Sequence, residues 1–249
     1  MGALTNGFRI LDAVVAAGSD GLPFARIVET TGLPKASVHR LLQELVALSA
    51  LSFDAGTRRY RGGLHLARLG AHLVADYDLR KTVHPHLESL HRDTGHVATL
   101  GVLGSDSGIY IDKIEGRDFG IRLHSEIGKP FPLHCTAMGK VLLAGADADT
   151  RRRLTSRRLE AYTDNTLVDG RRLRRELEVV AQRGYAIDNE EITRGLMCVA
   201  APVLDPEGRT AGAMSCTFPR YVFEDRGIDR EIAAVCRHAR AASGLAASG

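Results

Sequence analysis

A chain of 249 residues, 44% apolar and 25% charged, can build two domains with separate cores, and no biased tract points to disorder. Its net charge of +3 excludes a broad basic coat for unspecific nucleic-acid binding. Residues 1–62 carry seven Lys/Arg against five Asp/Glu, so any DNA contact must come from a few placed cations. The chain shows no basic-then-apolar leader and no apolar run near about twenty residues, and its four cysteines stand far apart. A cytoplasmic protein with reduced thiols and no membrane segment is the expectation.

Residues 6–17 have Phe8, Leu11, Val14 and Val15 at helical spacing, and Gly18 to Gly21 then closes that helix as a loop. Pro23 opens a short second helix with Phe24 and Ile27 inward, and Gly32 ends it. After a very short turn Pro34 starts a third helix over 33–48, with Val38, Leu41, Leu42, Leu45 and Leu48 on its inner face. Ala36, Arg40 and Gln43 fall on the opposite face, flanked by Ser37 and His39. Small residues beside Arg and a carboxamide suit close approach to a major groove and paired contacts to base edges.

From residue 49 the period drops to two. Leu51 and Phe53 alternate with polar residues, Asp54 to Gly56 turns the chain, and residues 58–61 return as a strand. This hairpin, carrying Arg58, Arg59 and Arg61, reads as the wing of a winged helix-turn-helix. Lys35, Arg58 and Arg59 are the candidate phosphate contacts, and Ser37, His39, Arg40 and Gln43 the candidate base readers. Residues 64–75 then place Leu66, Leu69 and Leu73 on one face, with Leu64 nearby. That stripe either joins two copies of the chain or packs on its own domain.

The remaining two thirds begin with a helix over 78–94, with Leu79, Val83, Leu87 and Leu90 inward and Pro85 within it. A hairpin follows over 97–116, turning at Ser105 to Gly108, and then an extended piece over 119–128. Helices are expected near 139–144, 148–155 and 170–183. Residues 184–218 give two apolar strands around the turn Asp205 to Gly208, and 229–245 a final helix. Helices interspersed with an antiparallel meander make an α+β domain. The expected boundaries are 1–62 for DNA binding, 63–78 for the connecting helix and 79–249 for the C-terminal domain.

Five segments, in order and at consistent separations, resemble the IclR family of bacterial transcription regulators: GLPKASVHRLLQEL, YRGGLHLARLG, DLRKTVHPHLESLHRDTG, PLHCTAMGK and RGYAIDNEEITRGLMCVAAPV. The resemblance implies a GAF-like effector-binding domain after the connecting helix. It also implies a homodimer or homotetramer on partly palindromic double-stranded operator DNA, a small carboxylic-acid effector, and control of a catabolic operon. It places the effector's carboxylate on the backbone N–H groups of Ala137 and Met138, where a helix N-terminus favours an anion. Met138 leaves the size of the pocket open, since it can fill space or line a roomier cavity. Asp188, Leu196, Cys198, Ser215 and Thr217 match the remaining effector contacts. Ser215 and Thr217 are two apart on a strand and share a face, with Cys216 on the other. Asp188 suits a ligand hydroxyl or a neighbouring donor better than an anion. Cys198 reads as a core thiol from its surroundings and as pocket lining from the resemblance.

Other signals fall short of a site. MGKV lacks the first glycine and the following Ser/Thr of a phosphate loop. His134-Cys135 is not zinc spacing, so no metal or cofactor is expected, and no catalytic base can be placed beside a cysteine. The arginines at 151–153, 157–158 and 171–175 read as solvated helix faces, with a second DNA surface as the alternative. A DNA-binding regulator rather than an enzyme is therefore expected. The alternative from another class is a small-molecule-binding or catalytic domain whose N-terminal helices contact proteins.

Overall fold

A computed structural model describes residues 2–75, 78–116, 125–223 and 227–246. The chain forms two compact units, Met1–Ala75 and Asp76–Gly249.

The first unit opens with α1 (Ala3–Ala16), followed by β1 (Leu22–Pro23), α2 (Phe24–Thr31) and α3 (Lys35–Ala47). Gly32 ends α2 in the left-handed conformation, at φ 64°, which a side chain would strain. Strands β2 (Leu51–Asp54) and β3 (Arg59–Gly62) make the wing hairpin, and β1 pairs with the outer edge of β3, giving the order β1-β3-β2. The core joins Ile10 and Val14 of α1, Ile27 of α2, Val38 and Leu42 of α3, and Leu51 of β2.

Three assignments to this core are corrected. Phe8 is 59% exposed and Val15 53%, because α1 buries Gly7, Ile10, Leu11 and Val14, a stripe turned about one residue from the expected face. Leu48 is 67% exposed, because it caps α3 rather than continuing its inner face. The last element, α4 (Leu64–Ala75), belongs to this unit. Leu66 packs on its core, whereas Leu64 and Leu69 point to solvent; the Leu73 side chain lies outside the described residues.

The second unit starts with α5 (Asp78–Thr94) and the hairpin β4 (Val97–Leu103) and β5 (Gly108–Ile114). The extended piece expected over 119–128 lies largely outside the described residues. Then come β6 (Pro130–Phe131), α6 (Ala137–Gly145), α7 (Ala148–Thr155), α8 (Gly170–Arg183), β7 (Ala186–Asn189), β8 (Leu196–Leu204), β9 (Thr210–Pro219) and α9 (Asp229–Ala246). Among the described residues, six strands pair antiparallel in the order β6-β5-β4-β9-β8-β7. The expected pair of strands over 184–218 is therefore three, because β7 is a separate four-residue edge strand.

Strand alternation divides the side chains between two cores. On one face, Val83, Leu87 and Leu90 of α5 and Val235 of α9 meet Leu100, Val199 and Cys216. On the other, Val141 and Leu142 of α6 and Leu173 and Leu177 of α8 meet Ala200 and Ala213. Cys216 thus turns away from Ser215 and Thr217, as expected. Among the described residues, no helix is long and apolar enough to cross a membrane.

Candidate functional site

Two regions bring the sequence-selected residues together. The first is the outer face of α3 and the wing. Lys35, His39, Arg40 and Gln43 are exposed and Ser37 is half-buried, while Val38, Leu41 and Leu42 fix the helix from behind. The Arg40 guanidinium donates to Glu44 at 2.9 Å one turn on, and Phe24 of α2 meets the His39 ring edge-on, with centroids 6.3 Å apart. In the wing, Arg58 is exposed at the tip with a left-handed backbone (φ 55°). Arg59 is engaged differently: it donates to the carbonyls of Asp20 and Gly21 at 3.3 and 3.0 Å, tying the wing to the loop before β1. Arg61 pairs with Asp54 across the hairpin at 3.3 Å. Lys35, Arg40 and Arg58 are thus the cations displayed, and Arg59 is half-buried as a brace.

The second region is a cavity of about 430 Å³ in the second unit, between the sheet and α6. Ala137 and Met138 come from the first turn of α6, where amide hydrogens have no intrahelical acceptor. Thr136 caps this helix: its hydroxyl donates to the Pro132 carbonyl at 2.6 Å and accepts from the Gly139 amide at 3.0 Å. Strands β8 and β9 contribute Leu196 and Cys198, and Ser215 and Thr217; β7 contributes Asp188. All seven residues matched by the resemblance line this one cavity. Met138 forms part of its wall and accepts a hydrogen bond from the Thr99 hydroxyl at its sulfur, 3.7 Å away, leaving the cavity roomy.

Sequence reasoning missed part of the lining. Thr99 of β4 hydrogen-bonds Ser215 at 2.8 Å, and Thr217 lies 3.2 Å from the Cys198 sulfur. Tyr110 and Phe131 meet at a tilt of 49°, with ring centroids 4.6 Å apart, and form an apolar wall. Phe131 fits only because Gly101 and Gly108 lack side chains, since a Cβ there would come within 2.8 and 2.1 Å of its ring. Tyr162, which also lines the cavity, has its hydroxyl pushed up to about 12 by burial and by its bond to Glu160.

Beneath the floor lies a buried charged cluster. Lys140, 2% exposed on the otherwise apolar α6, donates to the Ile187 carbonyl at 3.0 Å and to Glu191. The Glu191 amide donates to Asp188 Oδ1 at 2.7 Å, so the neighbouring-donor reading of Asp188 describes that oxygen. Burial raises the Asp188 carboxyl to about 7, against the lowering effect of the Glu191 amide. A lone lysine in AMGKVLLAG was the available signal for this cluster, because a buried ammonium demands an anionic partner. Burial, first of all, also pushes the Cys135 and Cys198 thiols up, with Asp188 adding to it, so neither is held as a reactive thiolate.

Residues 3–55 match the IclR helix-turn-helix domain, and residues 71–244 match the bacterial transcriptional regulator IclR C-terminal domain. The chain belongs to the IclR family. Its members are transcriptional regulators, with a DNA-binding helix-turn-helix and an effector-binding domain. Among relatives of this IclR chain, the HTH-type transcriptional regulator BhcR of Paracoccus denitrificans is 34% identical over 239 residues, 96% of this chain and 85% of the relative. The IclR regulator structure from Alicyclobacillus acidocaldarius superposes with a TM-score of 0.83 at 28% identity, covering 98% of both chains. An IclR homologue from Microbacterium hydrocarbonoxydans, crystallised with 4-hydroxybenzoate, shares the fold at 20% identity and a TM-score of 0.79, covering all of both chains.

Proposed function

We propose that this chain binds partly palindromic operator DNA as a homodimer or homotetramer and that a small carboxylic acid sets its affinity for that DNA, controlling a catabolic operon. The observation that carries the reading is the cavity itself. Its α6 end offers the free amides of Ala137 and Met138, and the Thr99–Ser215 pair and Thr217 add hydroxyls that can turn towards a carboxylate oxygen. The complex of a same-fold protein with an aromatic hydroxy acid fits this view. For DNA, support comes from α3, which presents the exposed His39, Arg40 and Gln43 and the half-buried Ser37, with Lys35 and Arg58 also exposed. Leu64 and Leu69, exposed on α4, give a second copy an apolar stripe to cover.

A thermal-shift screen of carboxylic acids, followed by gel-shift titration on duplexes selected from random sequence, tests both halves. The double variant Ser215→Ala, Cys198→Ala is expected to lose the acid-induced rise in Tm while retaining unliganded DNA binding. A Tm rise that survives the double variant would move the effector elsewhere. Failure to enrich any duplex would remove the operator.

A further inference from the structure

The positive charge of the chain is concentrated in one stretch. Residues 147–175 carry nine arginines, no lysine and five acidic residues, a balance of +4, so the rest of the chain sums to −1. This stretch is more basic than residues 1–62, where the candidate recognition helix lies, at +2.

The fold gathers these arginines on one surface. The end of α7 meets the start of α8: a Cβ on Gly170 would lie 2.4 Å from the Thr155 carbonyl oxygen, and Arg174 donates to the Thr155 hydroxyl at 3.5 Å. Some of the arginines are engaged by acids. Arg153 and Arg157 both donate to Asp106 Oδ1, at 2.7 and 2.8 Å, and Arg152 pairs with Asp149. Arg158, Arg171, Arg172 and Arg175 are exposed, and among the described residues their guanidinium groups make no hydrogen bond and no ion pair. Asp169 is the acid nearest to them in α8, and its carboxylate caps the helix by accepting from the Arg171 and Arg172 amides at 2.8 and 2.9 Å. Every exposed residue from 171 to 175 is an arginine, because Leu173 and Leu177 take the opposite face of the helix into the core. The first turn of a helix favours anions, so Arg171 and Arg172 stand where helix stability alone disfavours a cation.

We propose that this arginine surface, formed by the end of α7 and the first two turns of α8, binds the phosphate backbone of duplex DNA flanking the operator. This rests on the operator reading above and extends the DNA contact to the second unit. The planar fork of arginine matches phosphate oxygens in pairs, and such contacts hold a duplex without reading its sequence. A protein partner is anchored by apolar or aromatic side chains, and residues 171–175 expose none. Operator DNA held by the first unit offers further phosphates on the same molecule, so the second contact forms at a high effective concentration.

Anisotropy titrations of the full-length protein, over about 50–300 mM salt, test this on two duplexes. One is the shortest selected duplex that still binds; the other adds about 25 base pairs of arbitrary sequence at each end. The slope of log affinity against log salt is expected to be steeper on the extended duplex by at least about 2. Arg171→Gln, Arg172→Gln and Arg175→Gln together should erase that excess and leave the slope on the short duplex within about 0.5 of the parent's. Glutamine is a good helix former, so α8 is kept. Lysine at the same three positions keeps the charges and should keep the excess, as should the control Arg92→Gln, Arg240→Gln, which removes exposed arginines of α5 and α9. Equal slopes of the parent on the two duplexes overturn the inference, give the surface to an acidic protein or to solvent, and leave the operator reading standing. An excess that survives the triple glutamine variant, or that is lost equally in the control, also overturns it. Failure to bind any selected duplex removes the operator reading, and the inference with it.

Discussion

The face of α3 and the cavity of the second unit put polar groups to opposite use. On α3 the charged side chains stand in water: Arg40 and Glu44 are 61% and 54% exposed, and their ion pair adds little to the fold. Under the cavity, Lys140, Glu191 and Asp188 are at most 6% exposed, and each relies on another. Where polar groups are exposed, recognition can change without touching stability. Where they are buried, the groups that shape the cavity also hold the domain together. Five substitutions probe that contrast, from the strongest effect to the weakest.

Lys140→Ala carries the largest expected effect. It leaves Glu191 and Asp188 buried without their cation, and loss of one partner of a buried pair costs about 3–5 kcal/mol. Urea denaturation of the full-length protein reads this as a lower midpoint for the second unit. A loss below about 1 kcal/mol would show the cluster to be solvated and the contrast false.

Asp188→Asn tests the same cluster through pH. The folded-state value is about 7 against 3.8 for an ordinary aspartate, so between those limits the native protein holds this proton more tightly than the unfolded chain. Stability from this group is fully present below about pH 4 and is lost as the pH rises through about 7. Asparagine cannot ionise, so the variant should exceed the parent by about 1–3 kcal/mol near pH 8, the gap closing towards pH 4. A gap independent of pH would mean that Asp188 does not carry the shift.

The same contrast explains what could be read without coordinates. Residues 148–155 and 170–183 show the helical period and are helices, α7 and α8, over those very spans. Strands β1 and β7, of two and four residues, are too short for a period of two to stand out, and they exist because neighbouring strands complete them. On α1 the sequence points to Phe8 where the fold buries Ile10, because a side chain's apolarity does not say which of two adjacent stripes turns inward. The seven effector positions came from the resemblance. Thr99 and Phe131 could not be seen, because β4–β9 pairing and the Gly101–Gly108 gap join residues far apart in the chain. Lys140 and Glu191, 51 residues apart, are joined only by the folded sheet and α6.

Arg40→Ala turns to the exposed face. Truncation there should weaken binding to a selected duplex by about 1–3 kcal/mol if Arg40 reads a guanine, and relax preference at that base pair alone. The melting temperature should stay put, since the Arg40 side chain is 61% exposed and its ion pair is with the equally solvated Glu44 one turn on. A lower Tm with unchanged DNA affinity would reverse the comparison for this helix.

The wing gives the finest test, because adjacent arginines fall on either side of the divide. Arg58 is exposed at the hairpin tip, while Arg59 is half-buried and braces the Asp20 and Gly21 carbonyls. Arg58→Ala should lower the slope of log affinity against log salt by about 1, the signature of one lost phosphate contact, and leave stability within about 0.5 kcal/mol. Arg59→Ala should cost the first unit about 1 kcal/mol, because two carbonyls lose a charged donor and the wing loses its tie to the loop before β1. Its salt slope should change less than that of Arg58→Ala, since a guanidinium already bonded to backbone has fewer hydrogens to offer a phosphate. Matching salt slopes with matching stabilities for the two variants would show that Arg59 leaves its brace on DNA, and that even the half-buried arginine of the wing belongs to the recognition face.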